Sequence, residues 1–231
     1  MLAVLLVGCG PKRVEGPVID RNTGLARLSA AITAFDAARG PVLRSTGDLV
    51  TAAISLDEAD DACAAGALTA AKTARSKARA AVPKARAALS ILPAQLASYR
   101  GALTTLGAAE KDATSLTADQ RHALDAVVGG GRAESDASDA FRVAAASAWP
   151  AYDRLDAAQS TWLDHRLAGW YRDPTEAAGA YAVLVRPDRS ALDTARTLLQ
   201  RVDAARRPVS ERERAAVAAA DAALASLRSP G

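Results

Sequence analysis

Aromatic residues are scarce in this 231-residue chain: two Phe, four Tyr and three Trp amount to 4%, although half of all residues are apolar. Alanine supplies much of the difference. It is a poor strand former and the best helix former, because it loses no side-chain entropy on folding. No alternating Val, Ile or Thr stretch bounded by turn residues occurs, so hairpins have no sequence support. The two cysteines, Cys9 and Cys63, do not make a disulfide-stapled scaffold. No apolar run approaches the roughly 20 residues needed to span a bilayer. His122 and His165 are the only histidines, and two histidines without clustered acids do not suggest a metal site. The chain has no H-E-x-x-H, C-x-x-C, G-x-S-x-G or phosphate-cradling glycine loop. Catalytic, metal and cofactor candidates are therefore set at none.

What is present points to an all-α fold: an Ala-rich bundle of long antiparallel helices with coiled-coil-like packing. Runs such as ALTAAKTARSKARAA (67–81) and RAAVAAADAALASL (214–227) favour helix on propensity alone. Leu25, Leu28, Ile32 and Phe35 mark a helix over about 24–39, which Gly40-Pro41 should end. A second segment follows over 41–65, carrying Leu49, Ala53 and Leu56. Val82, Ala85, Leu89, Leu92, Leu96, Tyr99, Leu103 and Leu106 alternate steps of three and four, the spacing of a heptad seam. Pro83 and Pro93 lie inside that run without disturbing its phase, which predicts kinked rather than broken helices. Thr117 to Gln120 reads as a capping box opening a short helix that Gly129-Gly130-Gly131 would close as a hinge. A long helix is expected over 132–171. Asp173-Pro174-Thr175-Glu176 starts another, a further one should follow Pro187, and a second capping box is expected at Ser210.

The opening segment has a different character. Met1 to Val7 is apolar, Gly8-Cys9 follows, and the chain then turns polar with GPKRVEGP. Leu6-Val7-Gly8-Cys9 resembles the lipobox of bacterial lipoproteins, with an apolar residue three before the cysteine and a small one just before it. The resemblance implies that residues 1–8 are a signal peptide; no basic segment precedes them, so either the true start lies upstream or the motif is accidental. It further implies that Cys9 receives a diacylglyceryl unit, that 9–17 is a lipidated tether, and that 18–231 is the helical bundle domain. Two acyl chains give stable membrane attachment. The expected location is extracytoplasmic, on the outer membrane where the host has one. The alternative is a hydrophobic N-terminal turn with an ordinary thiol.

Two features of the body are candidates for binding. From Ala62 to Ala109 there is no Asp or Glu, and Lys72, Arg79 and Arg86 recur at seven-residue spacing. This stripe would meet anionic lipid or wall polymer, or pair with acids on the helices holding Asp193 or Glu211. Seven of the nine aromatics fall between 141 and 181, and Trp149, Tyr152, Trp162 and Trp170 among them suit a partner-docking patch or simply fill a core. Nucleic acid is not expected, since the basic segment carries only Tyr99 for stacking. The sequence thus predicts a membrane-anchored lipoprotein with a non-catalytic binding or scaffolding role in the cell envelope, its partners an envelope protein or wall polymer. A ligand-binding module built on the aromatic stretch is the second reading, and an envelope hydrolase the third. Oligomeric state is not legible.

Overall fold

A computed structural model describes residues 17–228 of the chain; the lipobox, Cys9 and the tether up to Gly16 lie outside the described residues. Four long helices and one short one account for nearly all of them: α1 (Pro17–Ala64), α2 (Leu68–Asp112), α3 (Ala118–Leu167), α4 (Pro174–Val185) and α5 (Arg189–Arg228). One 3-10 turn, Arg186–Asp188, joins α4 to α5. Among the described residues there is no strand, and no helix is long and apolar enough to cross a membrane. The fold is an all-α helical bundle.

Seven-residue periodicity explains why helices of 40 to 50 residues form. In α1 the buried positions Leu28, Phe35, Val42, Leu49, Leu56 and Cys63 are spaced by seven. In α2 the ladder is Ala71, Ala78, Ala85, Leu92, Tyr99 and Leu106. In α3 it is Gln120, Val127, Glu134, Phe141, Ala148, Leu155 and Trp162. Such a strict repeat keeps one seam facing the neighbouring helices along the whole element.

The described residues form two compact units interleaved along the chain. The first takes residues up to Gly40, Leu96–Asp136 and those from Arg207 onward; the second takes Pro41–Gln95 and Ala137–Arg206. Within each unit, chain neighbours run antiparallel. In the first, Gly24 lies against Asp112 and Phe35 against Tyr99. In the second, Ser45 bonds Gln95 and Glu58 bonds Lys77. In both units the numbers rise along α1 as they fall along α2, so these two helices run antiparallel, as chain neighbours do in up-and-down bundles.

Several expected breaks are absent. Gly40-Pro41 lies inside α1, because the heptad positions Phe35, Val42 and Leu49 remain in phase across it. Pro83, Pro93, Pro150 and Pro208 are also helix-internal, and all four are exposed. On that face the carbonyl freed by each ring is open to water, which lowers the cost of the lost bond. Gly129-Gly130-Gly131 is not a hinge either; α3 runs through it. A Cβ on Gly130 would sit 3.3 Å from Glu213 Cα, and one on Gly131 would meet Leu103 Cδ2 at 2.5 Å. These glycines let α3 approach α5 and α2 closely within the first unit. Ser210 lies mid-helix in α5, so the box expected there caps nothing, and α3 stops at Leu167 rather than 171. The other two start signals hold. Thr117 Oγ1 accepts from Gln120 N at 3.2 Å while Thr117 N donates to Gln120 Oε1 at 3.0 Å. Asp173 Oδ1 accepts from Glu176 N at 2.9 Å.

Candidate functional site

The basic stripe is exposed, and its residues differ in their company. Arg86 Nη2 donates to Asp153 at 2.8 Å, whereas Lys72 and Arg79 have no hydrogen bond or ion pair among the described residues. Three other cations of α2 find acids: Lys77 on Glu58, Arg75 on Asp156 and Arg100 on Asp136. Those acids stand on α1 and α3, not on the Asp193 or Glu211 helix that sequence reasoning named. The pairs of Lys77, Arg86 and Arg100 are exposed and contribute little to stability, whereas Arg75 is buried.

The aromatic candidates separate. Trp149, Tyr152 and Trp162 are buried in the second unit, and Trp170 is 64% exposed. Trp162 Nε1 donates to Ala177 O at 2.8 Å, and its ring meets Tyr181 edge-on. Trp149 packs against Tyr152, but its Nε1 has no partner among the described residues.

Below these rings lies a polar cluster that sequence reasoning did not assemble. Asp57 and Asp60, one helical turn apart on α1, face α5. Arg196 Nε donates to Asp57 Oδ1 and its Nη2 to Asp60 Oδ2, both at 2.7 Å. Arg189 Nη1 reaches Asp60 Oδ2 at 2.9 Å, and Tyr181 Oη donates to Asp60 Oδ1 at 2.6 Å. Tyr152 Oη donates to Asp57 Oδ2 at 3.4 Å. Beside them, Arg75 donates to Asp156, Gln159 and Ser160, and Gln159 Nε2 donates to Leu56 O at 2.8 Å. The two acids at i and i+3, and the two arginines seven apart on α5, were the signals available in the sequence.

Burial and the charges within the cluster shift the titration of its members. Burial raises the Tyr181 and Tyr152 phenols well above their ordinary range, and the neighbouring Asp60 and Asp57 charges add to it. Burial, with the Asp60 charge, pushes the Cys63 thiol up to about 12, so it stays protonated at neutral pH. The two acids diverge. Burial raises Asp57 by more than Arg196 lowers it. At Asp60 burial also pushes up, but bonds from Tyr181 and Arg196 and the charges of Arg196 and Arg189 outweigh it, and the carboxyl titrates below its usual range.

Asp60 therefore stabilises the fold above the ordinary carboxylate range, and that contribution is lost as pH falls through its lowered value. Asp60→Asn is expected to destabilise at pH 7 by about 2 kcal/mol, with the difference from the parent shrinking toward pH 3. Asp57→Asn should cost less at pH 7. Urea unfolding of both variants at several pH values measures the contrast, and a larger loss for Asp57→Asn would contradict it.

The second unit also holds an open groove of about 770 Å³ where α1 turns into α2, lined by Glu58, Thr69, Thr73, Lys77, Arg166 and Pro174 among others. Gly66 forms the turn with φ +64° and packs against the Pro174 carbonyl at the start of α4. Arg166 Nη1 donates to Tyr171 O at 2.6 Å. Tyr171 Oη lies 3.2 Å from His165 Nδ1, and the His165 ring stacks on Trp170 at 3.9 Å. Asp164, exposed beside His165, makes no bond to that imidazole. No group of three or more His, Cys, Asp or Glu that could hold a metal occurs among the described residues. Comparison of the chain with protein-family models, curated proteins and solved structures found no match.

Proposed function

We propose that the chain is a membrane-anchored extracytoplasmic lipoprotein with a non-catalytic binding or scaffolding role in the cell envelope. Leu6-Val7-Gly8-Cys9, followed by polar GPKRVEGP, supports the anchor. The observation that carries the non-catalytic reading is the state of the buried polar cluster. Asp57, Asp60, Tyr152, Tyr181 and Arg196 spend their hydrogen bonds on one another. The phenols and the Cys63 thiol are driven away from the pH range in which proton transfer or nucleophilic attack works. Such a network ties helices together and leaves recognition to the surface. A ligand-binding module remains the second reading, favoured by one observation: Trp170, alone among the four candidate aromatics, turns most of its surface to solvent.

Intact-mass measurement of membrane-extracted protein beside a Cys9→Ser variant tests the anchor. The parent should lack residues 1–8 and carry the mass of a diacylglyceryl unit, and the variant should carry none. Parent protein recovered with Met1 attached and no added mass would end the proposal.

A further inference from the structure

We propose that the outer face of α2 between Lys72 and Arg86 is a track for a linear phosphodiester polymer. Such a track gives the binding role proposed above a partner; it rests on that role and is independent of the anchor.

The face follows from the heptad. Ala71, Ala78 and Ala85 are buried and set the inner seam, so the residues one place later, Lys72, Arg79 and Arg86, form one outer row. Lys77 and Lys84, one place before the seam, form a second row about 140° away around the axis. All five are exposed. Between the rows lie Thr73, Ser76, Ala80, Pro83 and Ala87, which are exposed and small. Lys72 and Arg86 stand two heptads apart, about 21 Å along the axis.

Charge on this face is not compensated. No Asp or Glu occurs between Ala62 and Ala109. Acids from other helices reach two of the five cations, Glu58 to Lys77 and Asp153 to Arg86. Lys72, Arg79 and Lys84 make no hydrogen bond or ion pair among the described residues. Arg75, turned inward, is by contrast held by Asp156, Gln159 and Ser160. Three like charges fixed on one rigid face repel one another, and a polyanion that releases counterions on binding them gains free energy.

The surroundings select among polyanions. A nucleic acid gains affinity by stacking its bases, and no aromatic side chain lies between Lys72 and Arg86. A bilayer surface takes up large apolar side chains, and none stands between the rows. A phosphodiester within a chain points its two free oxygens to opposite sides, so one strand can accept from both rows at once. A carboxylate carried on a branch reaches one row only.

Fluorescence anisotropy with an end-labelled abasic deoxyribose-phosphate oligomer tests the track, using the Cys9→Ser chain so that no acyl group contributes. Binding should weaken about thirtyfold between 20 and 100 mM salt, as roughly three released counterions require. Ala80→Glu should weaken it about tenfold, because the carboxylate enters between the rows. Its Tm should be unchanged, because Lys84 follows at i+4. Ala219→Glu alters net charge equally from an exposed site on α5 and should leave binding as it is. The triple variant Lys72→Gln, Arg79→Gln, Lys84→Gln should remove binding with no loss of Tm. Oligothymidylate should match the abasic oligomer, polyglutamate of equal charge should bind more weakly, and vesicles containing anionic lipid should not bind. Absent binding at low salt, equal effects of the two Glu substitutions or an unaffected triple variant would each overturn the assignment. So would tighter binding of oligothymidylate or polyglutamate, or capture by the vesicles. A chain that fails to bind while the mass measurement at Cys9 finds the lipid would strike the track and leave the anchor standing.

Discussion

Gly66→Ala should lower stability by about 3 kcal/mol, one of the largest losses available to a single added methyl group in this chain. Two costs combine. A side chain at φ +64° costs roughly 1 kcal/mol or more. The new Cβ would also overlap the Pro174 carbonyl oxygen, which is backbone and cannot swing aside, and forced overpacking adds about 1–3 kcal/mol. In a chain of this size the sum corresponds to a Tm fall of about 10 °C. Gly169→Ala separates the two costs, since Gly169 has φ +77° but nothing within 4 Å of its Cβ position. It should lose about 1 kcal/mol only. Thermal unfolding followed by circular dichroism measures both; equal losses would show that contact with Pro174 is of no consequence. Because Gly66 and Pro174 line the groove, Gly66→Ala should also deform it.

Arg39→Met is the second large effect, in the first unit. Glu213 has no exposed side-chain surface, and Arg39 meets it twice, Nε to Oε1 and Nη2 to Oε2, both at 2.5 Å. Tyr99 Oη, at 3.3 Å, is the further donor to Oε1. Burial tends to lower the Arg39 guanidinium, but the bond and charge of Glu213 more than compensate and raise it. Removing one partner of such a pair leaves a buried charge unmatched, which costs about 3–5 kcal/mol. Replacing both partners by apolar side chains removes the unmatched charge. Arg39→Met with Glu213→Leu is therefore expected to be more stable than Arg39→Met alone. Denaturant unfolding of the parent and both variants decides it: a double variant less stable than the single one would mean that the pair is net stabilising beyond its mutual need.

How much of this was legible depends on which physical signal each feature writes into the sequence. The helices were, because alanine content and the three-and-four spacing act locally. Their lengths were not. Gly40-Pro41 and Gly129-Gly130-Gly131 are strong local stop signals, and burial of Val42 with Phe35, and of Gly131 against Leu103, overrode them. A seven-residue register already joined Leu28 to Leu56 across the first of these, and counting it through the punctuation would have found the continuous helix. The caps at Thr117 and Asp173 were readable because their bonds close within four residues. The Asp57–Asp60–Arg196 cluster was not, because its partners lie more than 130 positions apart in the chain. Of the candidate site residues, Trp149, Tyr152 and Trp162 went to the core and Trp170 to the surface, a distinction that composition cannot make.

The unbroken register within each long helix limits how this chain can change in length. Adding or deleting one residue inside α1, α2, α3 or α5 would rotate everything beyond it by about 100° about the helix axis and turn core alanines outward. Indels are therefore confined to the short connections at 65–67, 113–117 and 168–173, or come as whole heptads matched in every paired helix. Relatives of this protein should differ in size by such steps.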